Sequence, residues 1–434
     1  MRKTVLPISV LLFTTLILYF AAGQQGILVP VRAGLEGFSD FTIGFFGTAY
    51  ALGFIAGCYL IPVALTRVGH IRTFGVVAAL AAVGMLAKGL LVYPEVWFVL
   101  RVVAGFAIAG AAMIIESWLN ERATNENRGR VFSTYMIVYL TAVTAGQMSL
   151  VAFDPLQITM FVVAGILFIL ALIPTSLTLL PAPLPPGRTV LNLSRLYTLS
   201  PVGAWGAFAV GLANGAFGTL GPVYAQTIGF STTGVAIFMS LALVAGACAQ
   251  LPFGRLSDAI DRRRVIGGVS AIGAVAGIAM VMFASPGLVG YALVVGFGIS
   301  AFSLYGLVVA HTNDHADPTE FVLVSGGLLL VFGIGSAVGP LIAAALITFG
   351  LQAGVFVFTA LIHTLLGGYA VYRISQRKQV PDEEKDVFVA TARPTSPGAA
   401  MMDPRFDDPD ADAHVEEPGD PMPPGGRVSG GDAG

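Results

Sequence analysis

Two stretches of this sequence decide its fold: GILVPVRAGLEGFS begins at Gly26, and GTLGPVYAQTIGFS begins at Gly218. Eight positions are identical in the two stretches, and every identical pair is separated by 192 residues. The same offset aligns Arg72 with Arg264, and Pro94 with Pro286, without a gap. A run of matches at one fixed offset indicates an internal repeat.

The composition around the repeat is that of a membrane protein. Of the 434 residues, 56% are hydrophobic and 11% are charged, whereas an ordinary soluble domain carries roughly 25% charged residues. So few charges cannot cover the surface of a water-soluble protein of this length. We therefore expect lipid to surround most of the chain.

A helix needs about 20 apolar residues to cross a bilayer, and the chain offers about twelve such segments. The predicted spans of the first set are 5–28, 41–63, 73–92, 96–117, 131–152 and 157–180. The predicted spans of the second set are 201–225, 234–253, 265–284, 287–311, 321–347 and 351–374. The sequence thus predicts an all-α integral membrane protein.

The repeat also predicts how the spans are arranged. Six spans separate the two copies, and because six is even, both halves cross the membrane in the same sense. Parallel halves with a solute site between them are typical of transporters that work by alternating access. The predicted units are an N-terminal half (1–180), a linker (181–200), a C-terminal half (201–378) and a tail (379–434).

The first span needs separate attention, because Arg2, Lys3 and the small residues after the apolar stretch resemble a secretory signal peptide. A cleaved signal would have no reason to match a helix of the second half. The repeat therefore favours a structural first span.

Lys and Arg accumulate in every second loop, and the loops between these contain few basic residues. Such an alternation marks the basic loops as cytoplasmic. Opposite loops offer only Arg32, and the loop at 312–320 is the weak point, because it lacks basic residues. We predict cytoplasmic termini in a bacterial inner membrane. Residues 381–434 carry 13 of the 25 acidic side chains and have little to bury, so we expect a disordered tail.

After the eighth span the chain reads GRLSDAIDRRR, from Gly254 to Arg264. A Gly, three residues, an Asp and then a basic cluster resemble the cytoplasmic loop motif of the major facilitator superfamily. Gly254 and Asp258 match that motif, and Asp261 stands where a second Gly is expected. The basic end is supplied by Arg262, Arg263 and Arg264.

The first half has a weaker equivalent, PVALTRVGHIR, which keeps Arg67, Gly69 and Arg72 but has Thr66 in place of the Asp. Arg101 and Gly105 on the fourth span resemble the family's Arg-x-x-x-Gly motif. Three further stretches resemble a poorly characterised YcaD-like bacterial branch: 116–130, 304–314 and 325–340. The resemblance covers residues 1 to about 378.

The resemblance implies a conformational latch at Asp258 and its arginines. A carboxylate at a helix end can pair with a basic side chain or a helix N-terminus, and such pairs must break when the cytoplasmic face opens. With Thr66 in the equivalent position, the first half should latch weakly or not at all. The alternative is that these charged residues only solvate a loop.

Polar residues inside spans are the candidates for a solute or proton pathway, since amides facing lipid are costly. The candidates are Arg101, Gln24, Gln25, Glu116, Asn214, Tyr224 and Tyr305, with Gln147 and Tyr50 as further polar groups. Sequence does not separate those that line the pathway from those that bridge helices.

For three charged residues the sequence gives more specific expectations. Arg101 lies inside the fourth span, and its expected neighbours are Gln24 and Gln25; it either contacts solute or braces helices. Glu116 either carries a coupling proton or pairs with Arg122 or Arg130, and we favour the ion pair. Lys88 lies near a helix end, where a lysine reaches for the interface.

No cofactor or metal is expected. His311, Asp314 and His315 share a helix face, but they lack an obvious third ligand, which favours a solvated loop. No Gly-x-x-x-x-Gly-Lys nucleotide-binding signature occurs. Cys58 and Cys248 fall in apolar runs and are interpreted as small core residues.

The most direct interpretation is a secondary transporter, not an enzyme, with proton coupling left open. The expected partners are a small neutral or anionic solute, protons if transport is coupled, and membrane lipid. No nucleic-acid partner is expected, and the chain is expected to be monomeric. The alternative is a transporter-like sensor or scaffold that signals through its C-terminal tail.

Overall fold

The structure, a computed structural model, describes residues 8–124, 127–177, 192–317 and 320–376, together with 379, 381, 385 and 388–390. Within these residues the chain is helical and contains no strand. Eleven helices are long and apolar enough to span a membrane, and the bent pair Leu193–Leu199 and Pro201–Thr227 gives a twelfth if it counts as one span. The predicted all-α membrane fold is confirmed.

The first half contains six spans. They are α1 (Ser9–Leu35), α2 (Asp40–Val68), α3 (His70–Leu90), α4 (Pro94–Glu121), α5 (Arg128–Met148) and α6 (Thr159–Ser176). The second half contains α7 (Pro201–Thr227), α8 (Thr232–Ala259), α9 (Arg262–Phe283), α10 (Leu288–Asn313), α11 (Phe321–Thr348) and α12 (Gly354–Gln376). The face where α1 begins and α12 ends is named the terminal face, and the other is the opposite face.

The repeated stretches form the same structure twice. Gly37 and Gly229 both have positive φ, 75° and 99°, which glycine adopts without steric cost. The next residue donates its amide to the carbonyl five residues earlier, at 3.0 Å in both copies. Ser39 and Ser231 then cap α2 and α8 by accepting an amide hydrogen bond. This turn explains why the two halves share the same residues at these positions.

Helix packing repeats as well. In the first half α1 packs on α5, α2 on α4, and α3 on α6; in the second half α7 packs on α11, α8 on α10, and α9 on α12. Small residues allow these approaches, as they do in membrane helices generally. A Cβ at Gly105 on α4, for example, would collide with the carbonyl oxygen of Tyr50 on α2.

Among the described residues, five helix pairs join the halves: α2 with α11, α5 with α8, α7 with both α1 and α2, and α8 with α1. The first two pairs exchange under the repeat, since α2 corresponds to α8 and α5 to α11. The halves are therefore related by the pseudo-twofold arrangement that the sequence predicts.

All four predicted units contain residues outside the described ones, most of them in the linker and the tail. Positions 181–191 of the linker and most of the tail, including 391–434, are not described. The described end of the linker forms the short helix Leu193–Leu199, which turns by 114° into α7. Arg195 on this helix pairs with Glu320 before α11 at 2.9 Å, which ties the linker to the second half. The domain boundaries stay predictions.

The close packing of α2 on α4 makes a stability prediction. We expect Gly105→Ala to lower the unfolding temperature of the detergent-purified protein, because overpacking a tight contact costs about 1–3 kcal/mol. The matched control is Gly268→Ala on α9, where an added Cβ has nothing within 4 Å. Thermal unfolding of both variants measures the difference, and equal unfolding temperatures would contradict the packing described here.

Candidate functional site

A cavity of about 270 Å³ lies near the middle of the spans, where α1, α2, α4 and α5 face α11. Its polar lining residues are Tyr19, Tyr50, Tyr139, Gln147 and Ser336. The other lining residues are apolar or glycine, and none of the described lining residues is charged. The cavity can therefore make a few hydrogen bonds and many aromatic contacts, but it offers no ion pair.

Two of the polar groups identified in the sequence, Tyr50 and Gln147, line this cavity, whereas the seven main candidates do not. Gln24 and Gln25 lie between the lining residues Gly23 and Gly26 on α1, but they point into the first half. The residues that sequence reasoning missed are Tyr19, Tyr139 and Ser336. Tyr139, Val143 and Gln147 follow one another at four-residue intervals and therefore share one face of α5. This spacing could have identified the side of the cavity that α5 forms.

Arg101 is buried, with 8% exposure, but its neighbours differ from the expected ones. Its Nε donates to the carbonyl of Phe46 on α2 at 3.2 Å, and its guanidinium lies 4.6 Å from the centre of the Tyr50 ring. The expectation that α1 supplies its partners is wrong, because α2 approaches α4 more closely there. Arg101 thus stands directly behind a tyrosine of the cavity wall, and a stacked ring of this kind favours a cation.

The glutamines of α1 contact other helices. Gln24 donates to the carbonyl of Met160 on α6 at 3.2 Å, and Gln25 accepts from Lys88 on α3 at 3.4 Å. Lys88 is 0% exposed, so the expectation that it reaches the interface is wrong. Its side chain is enclosed by the bundle of the first half.

Glu116 lies near the end of α4 at the terminal face and is fully buried. It accepts a hydrogen bond from the hydroxyl of Tyr135 on α5 at 2.9 Å. The sequence favoured an ion pair with Arg122 or Arg130, whereas this contact gives the carboxylate a tyrosine partner. The two helix ends are therefore held together at this face.

The three candidates of the second half lie apart from one another. The Tyr224 hydroxyl donates to the carbonyl of Met280 on α9 at 3.0 Å, which bridges α7 and α9. The ring of Tyr305 packs at 5.3 Å from that of Phe332, a lining residue of the cavity. Asn214 is half-buried on α7, and its Oδ1 has no hydrogen-bond partner among the described residues.

The cavity is closed toward the opposite face by contact between α2 and α11. The Thr48 hydroxyl donates to the carbonyl of Ala337 at 2.6 Å. A Cβ at Gly44 would lie 2.8 Å from the Cβ of Ala344 and 2.9 Å from the carbonyl oxygen of Pro340. Because Gly44 and Thr48 belong to the first turns of α2, this contact is on the opposite-face side.

The α5–α8 pair repeats this geometry. Ser240 on α8 donates to Gln147 near the end of α5 at 3.3 Å. Farther toward the terminal face the helices separate around a groove of about 440 Å³, which is lined by Leu140, Thr141, Thr144, Ala145, Val244, Ala247 and Cys248. Both helix pairs therefore hold the halves together on the opposite-face side of the cavity.

The loop between α8 and α9 holds a network of ion pairs. Arg262 donates to Asp258 at 2.9 Å and to Asp314, at the end of α10, at 2.6 Å. Arg263 pairs with Asp261 at 2.7 Å and donates to the carbonyl of Arg373 on α12 at 2.8 Å. The network joins four helix ends of the second half, those of α8, α9, α10 and α12.

Asp261 caps the N-terminus of α9 and lies outside the membrane spans. Burial alone would raise the pKa of its carboxyl, but hydrogen bonds from Arg263 and the positive charge of that residue lower it below the ordinary 3.8. Because the pKa of this carboxyl is lower in the folded state than in the unfolded state, the ionised carboxylate stabilises the fold at any pH above the unfolded-state pKa. That stabilisation is lost only when the pH falls below about 4.

The segment after α12 contacts this loop. The amide of Phe388 donates to both carboxylate oxygens of Asp258, at 3.1 and 3.2 Å, and its ring lies where a Cβ of Gly254 would be. Lys385 donates to the carbonyl of Ile260 at 3.1 Å. The two defining residues of the loop motif, Gly254 and Asp258, are thus covered by the chain's own C-terminal segment.

The first-half equivalent has no such network among the described residues. Arg67 and Arg72 are exposed, as is Arg264 in the second half. Gly69 has a φ of 81° and forms the turn between α2 and α3, and the Thr66 hydroxyl donates to the carbonyl of Val63 on its own helix. The loop between α8 and α9 is thus held by ion pairs, whereas the described residues of the loop between α2 and α3 form no such network.

The histidines near the end of α10 are not in a solvated loop, which corrects that expectation. His311 is buried, its ring centre lies 4.8 Å from that of His315, and Asp314 is engaged by Arg262. The loop packs back on α9, so these side chains are enclosed. Among the described residues no group of three His, Cys, Asp or Glu has the geometry to hold a metal ion.

The ion-pair network makes a graded prediction. Asp314→Asn should destabilise the detergent-purified protein by about 1.5–3 kcal/mol, since it removes a buried hydrogen bond between two charged groups while Arg262 keeps Asp258. Asp258→Asn should cost less, because that side chain is 31% exposed whereas Asp314 is 2% exposed. Thermal unfolding of the two variants gives the order, and a reversed order would refute the burial argument.

Comparison with known proteins agrees with this architecture. The family model described as Major Facilitator Superfamily matches residues 11–326 and 203–404. An uncharacterized MFS-type transporter YcaD of Escherichia fergusonii is 26% identical over 344 residues, which cover 78% of this chain and 88% of that protein. The YcaD protein of an Escherichia coli strain is 27% identical over 343 residues, with the same coverage.

Two solved transporters share the fold. A point mutant of the nucleoside transporter NupG superposes with a TM-score of 0.70 at 13% identity, covering 84% of this chain and 98% of its own. A bacterial homolog of the human lysosomal transporter Spinster, in an inward-facing and occupied conformation, also gives 0.70, at 14% identity, covering 87% and 97%. At these identities the likeness concerns the fold. Together with the family match, it establishes that the chain belongs to the Major Facilitator Superfamily of membrane transporters.

Proposed function

We propose that the chain is a secondary transporter that moves a small neutral solute by alternating access. The observation that carries the proposal is the cavity between the two halves, which contact each other on its opposite-face side. We propose that this is the state open to the terminal face. Rocking one half against the other would open the cavity to the opposite face.

The class of solute follows from the described lining. Three tyrosines, one glutamine and one serine supply hydrogen bonds, and no charged side chain is present. Ligand sites of this kind orient a mostly apolar molecule with a few polar contacts. A volume of about 270 Å³ suits a small molecule, and we therefore favour a neutral solute over an anion.

We further propose that the terminal face is cytoplasmic and that the membrane is a bacterial inner membrane. The support is the accumulation of Arg at the helix ends of that face. In this orientation the Asp258 network lies on the cytoplasmic side, where the latch is expected. In the present arrangement Asp258 bonds within its own half and to Phe388, as a released latch would.

One second function is favoured by a specific observation. The contact of Phe388 and Lys385 with the α8–α9 loop would let the tail respond to the conformation of the helices, as a sensor or scaffold requires. Removal of 381–434 separates the two functions: a transporter keeps its solute flux, whereas a sensor loses its output.

The α2–α11 contact gives a direct test of alternating access. With Cys58 and Cys248 replaced by alanine, we expect Gly44→Cys combined with Ala344→Cys to form a disulfide on oxidation. The Cβ separation of 2.8 Å needs to widen only slightly to reach the usual range of about 3.5–4.5 Å. Oxidation should abolish solute flux into proteoliposomes, and reduction should restore it.

The solutes are first selected from a library of small neutral compounds by thermal stabilisation of the purified protein. The single variant Gly44→Cys controls for the substitution itself. Full flux through protein that is shown to be cross-linked would exclude alternating access at this contact. Failure of a broad library to yield any flux through folded protein would count against the transport function.

A further inference from the structure

A buried lysine in the first half has no compensating charge. Lys88 lies in the last turn of α3 and is 0% exposed. Its Nζ lies 3.4 Å from Gln25 Oε1 and 3.9 Å from Met85 Sδ, and both of these groups are neutral. Among the described residues no carboxylate forms an ion pair with it.

The surrounding elements do not supply a negative charge to this amine. In the same half of the membrane, the titratable or charged side chains on the elements packed against α3 are Arg32, Glu36, Asp40, Tyr50, Tyr93, Glu95 and Arg101. Arg32 pairs with Glu36, and α6 contributes no titratable side chain. Of these described groups, Arg101 is the one whose charge acts on Lys88, and it is positive.

Magnitudes show why a permanent charge here is unfavourable. The C-terminus of a helix stabilises a cation by about 0.3–1 kcal/mol, and α3 ends two residues after Lys88. Removing an ammonium from water costs several kcal/mol even after relaxation, and Arg101 adds repulsion. Burial without a counter-charge makes the neutral amine accessible.

The amine also lies between the two faces. On the opposite-face side it is covered by Trp97, whose indole donates to the carbonyls of Lys88 and Leu91 at 3.1 and 2.9 Å. The indole packs on the rings of Phe38 and Phe46. On the other side Gln25 precedes Gly26, which lines the central cavity. Lys88 is therefore shielded from the opposite face, and α1 lies between its amine and the central cavity.

We propose that Lys88 is the proton-binding group of the transport cycle. In one conformation the neutral amine takes a proton from hydronium and becomes an ammonium, leaving water; in the other the ammonium returns the proton to water as hydronium and becomes the amine again. The lone pair of Nζ forms the N–H bond when the proton binds and is restored when the proton leaves. Protons and electrons therefore balance without a cofactor. This inference rests on the proposed transport function and adds proton coupling to it.

The titration of Lys88 can be measured without knowing the solute. The chain contains four lysines, Lys3, Lys88, Lys378 and Lys385, so Nζ and Cε signals of lysine labelled with ¹⁵N and ¹³C can be resolved in lipid nanodiscs. Lys88→Met identifies the signal of Lys88 by its loss. We expect that signal to pass from ammonium to amine at a lower pH than the signals of the other three lysines. A signal that titrates together with those of the other lysines, or that stays in one form throughout, would overturn the proposal.

Flux measurements supply the second arm. In proteoliposomes, with the solutes selected by thermal stabilisation, Lys88→Met should remove the stimulation by an imposed pH gradient while leaving solute exchange without a gradient. Glu95→Gln, an exposed titratable residue on α4, is the matched control and should keep the stimulation. If Lys88→Met retains full stimulation, Lys88 is not the coupling group. If no solute is moved by the unaltered protein, the transport function fails instead, whatever the titration of Lys88 shows.

Discussion

The close approach of α2 and α11 is the contact on which the rest of the architecture depends. A glycine at position 44 allows the backbone of α2 to reach Pro340 and Ala344, and Thr48 adds a hydrogen bond across the same interface. Lipid offers no hydrophobic drive for helices to associate, so close packing and hydrogen bonds between helices must supply it. Together with the α5–α8 pair and the contacts of α7 with α1 and α2, this contact joins the two halves.

This constraint organises the polar groups as well. In the bilayer an unsatisfied polar group costs several kcal/mol, and most polar side chains of the spans are paired with a backbone carbonyl or another side chain. Exceptions occur in both halves; in the first half, Arg101 and Gln24 each retain a buried atom without a hydrogen-bond partner among the described residues. The first half thus holds the cavity's aromatic wall and two buried basic side chains, Arg101 and Lys88, whereas the second half holds the ion-pair network of the α8–α9 loop.

Much of the fold was predictable from the sequence, because it depends on local chemistry that repeats. The turn at Gly37 and Gly229, the caps at Ser39 and Ser231 and the apolar length of the spans are each encoded within a few residues. The side-chain partners were not predictable. Arg101 was expected to meet α1 but meets α2, and Lys88 was expected at the interface but is enclosed, because helix rotation and tilt are set by packing with neighbouring helices. Likewise, the contact of Phe388 with Asp258 joins residues 130 positions apart, and no sequence pattern indicates it.

The central claim is that the two halves move against each other as units, and paired spin labels test it most directly. Val68 and Ile260 are equivalent exposed residues at the terminal face, and Leu91 and Phe283 are equivalent exposed residues at the opposite face. With both native cysteines replaced, each pair is labelled and its distance distribution is measured by pulsed electron resonance in nanodiscs. The account predicts that a change of pH or a bound solute lengthens the distance in one pair while shortening it in the other. Two distances that stay fixed, or that change in the same direction, would contradict it.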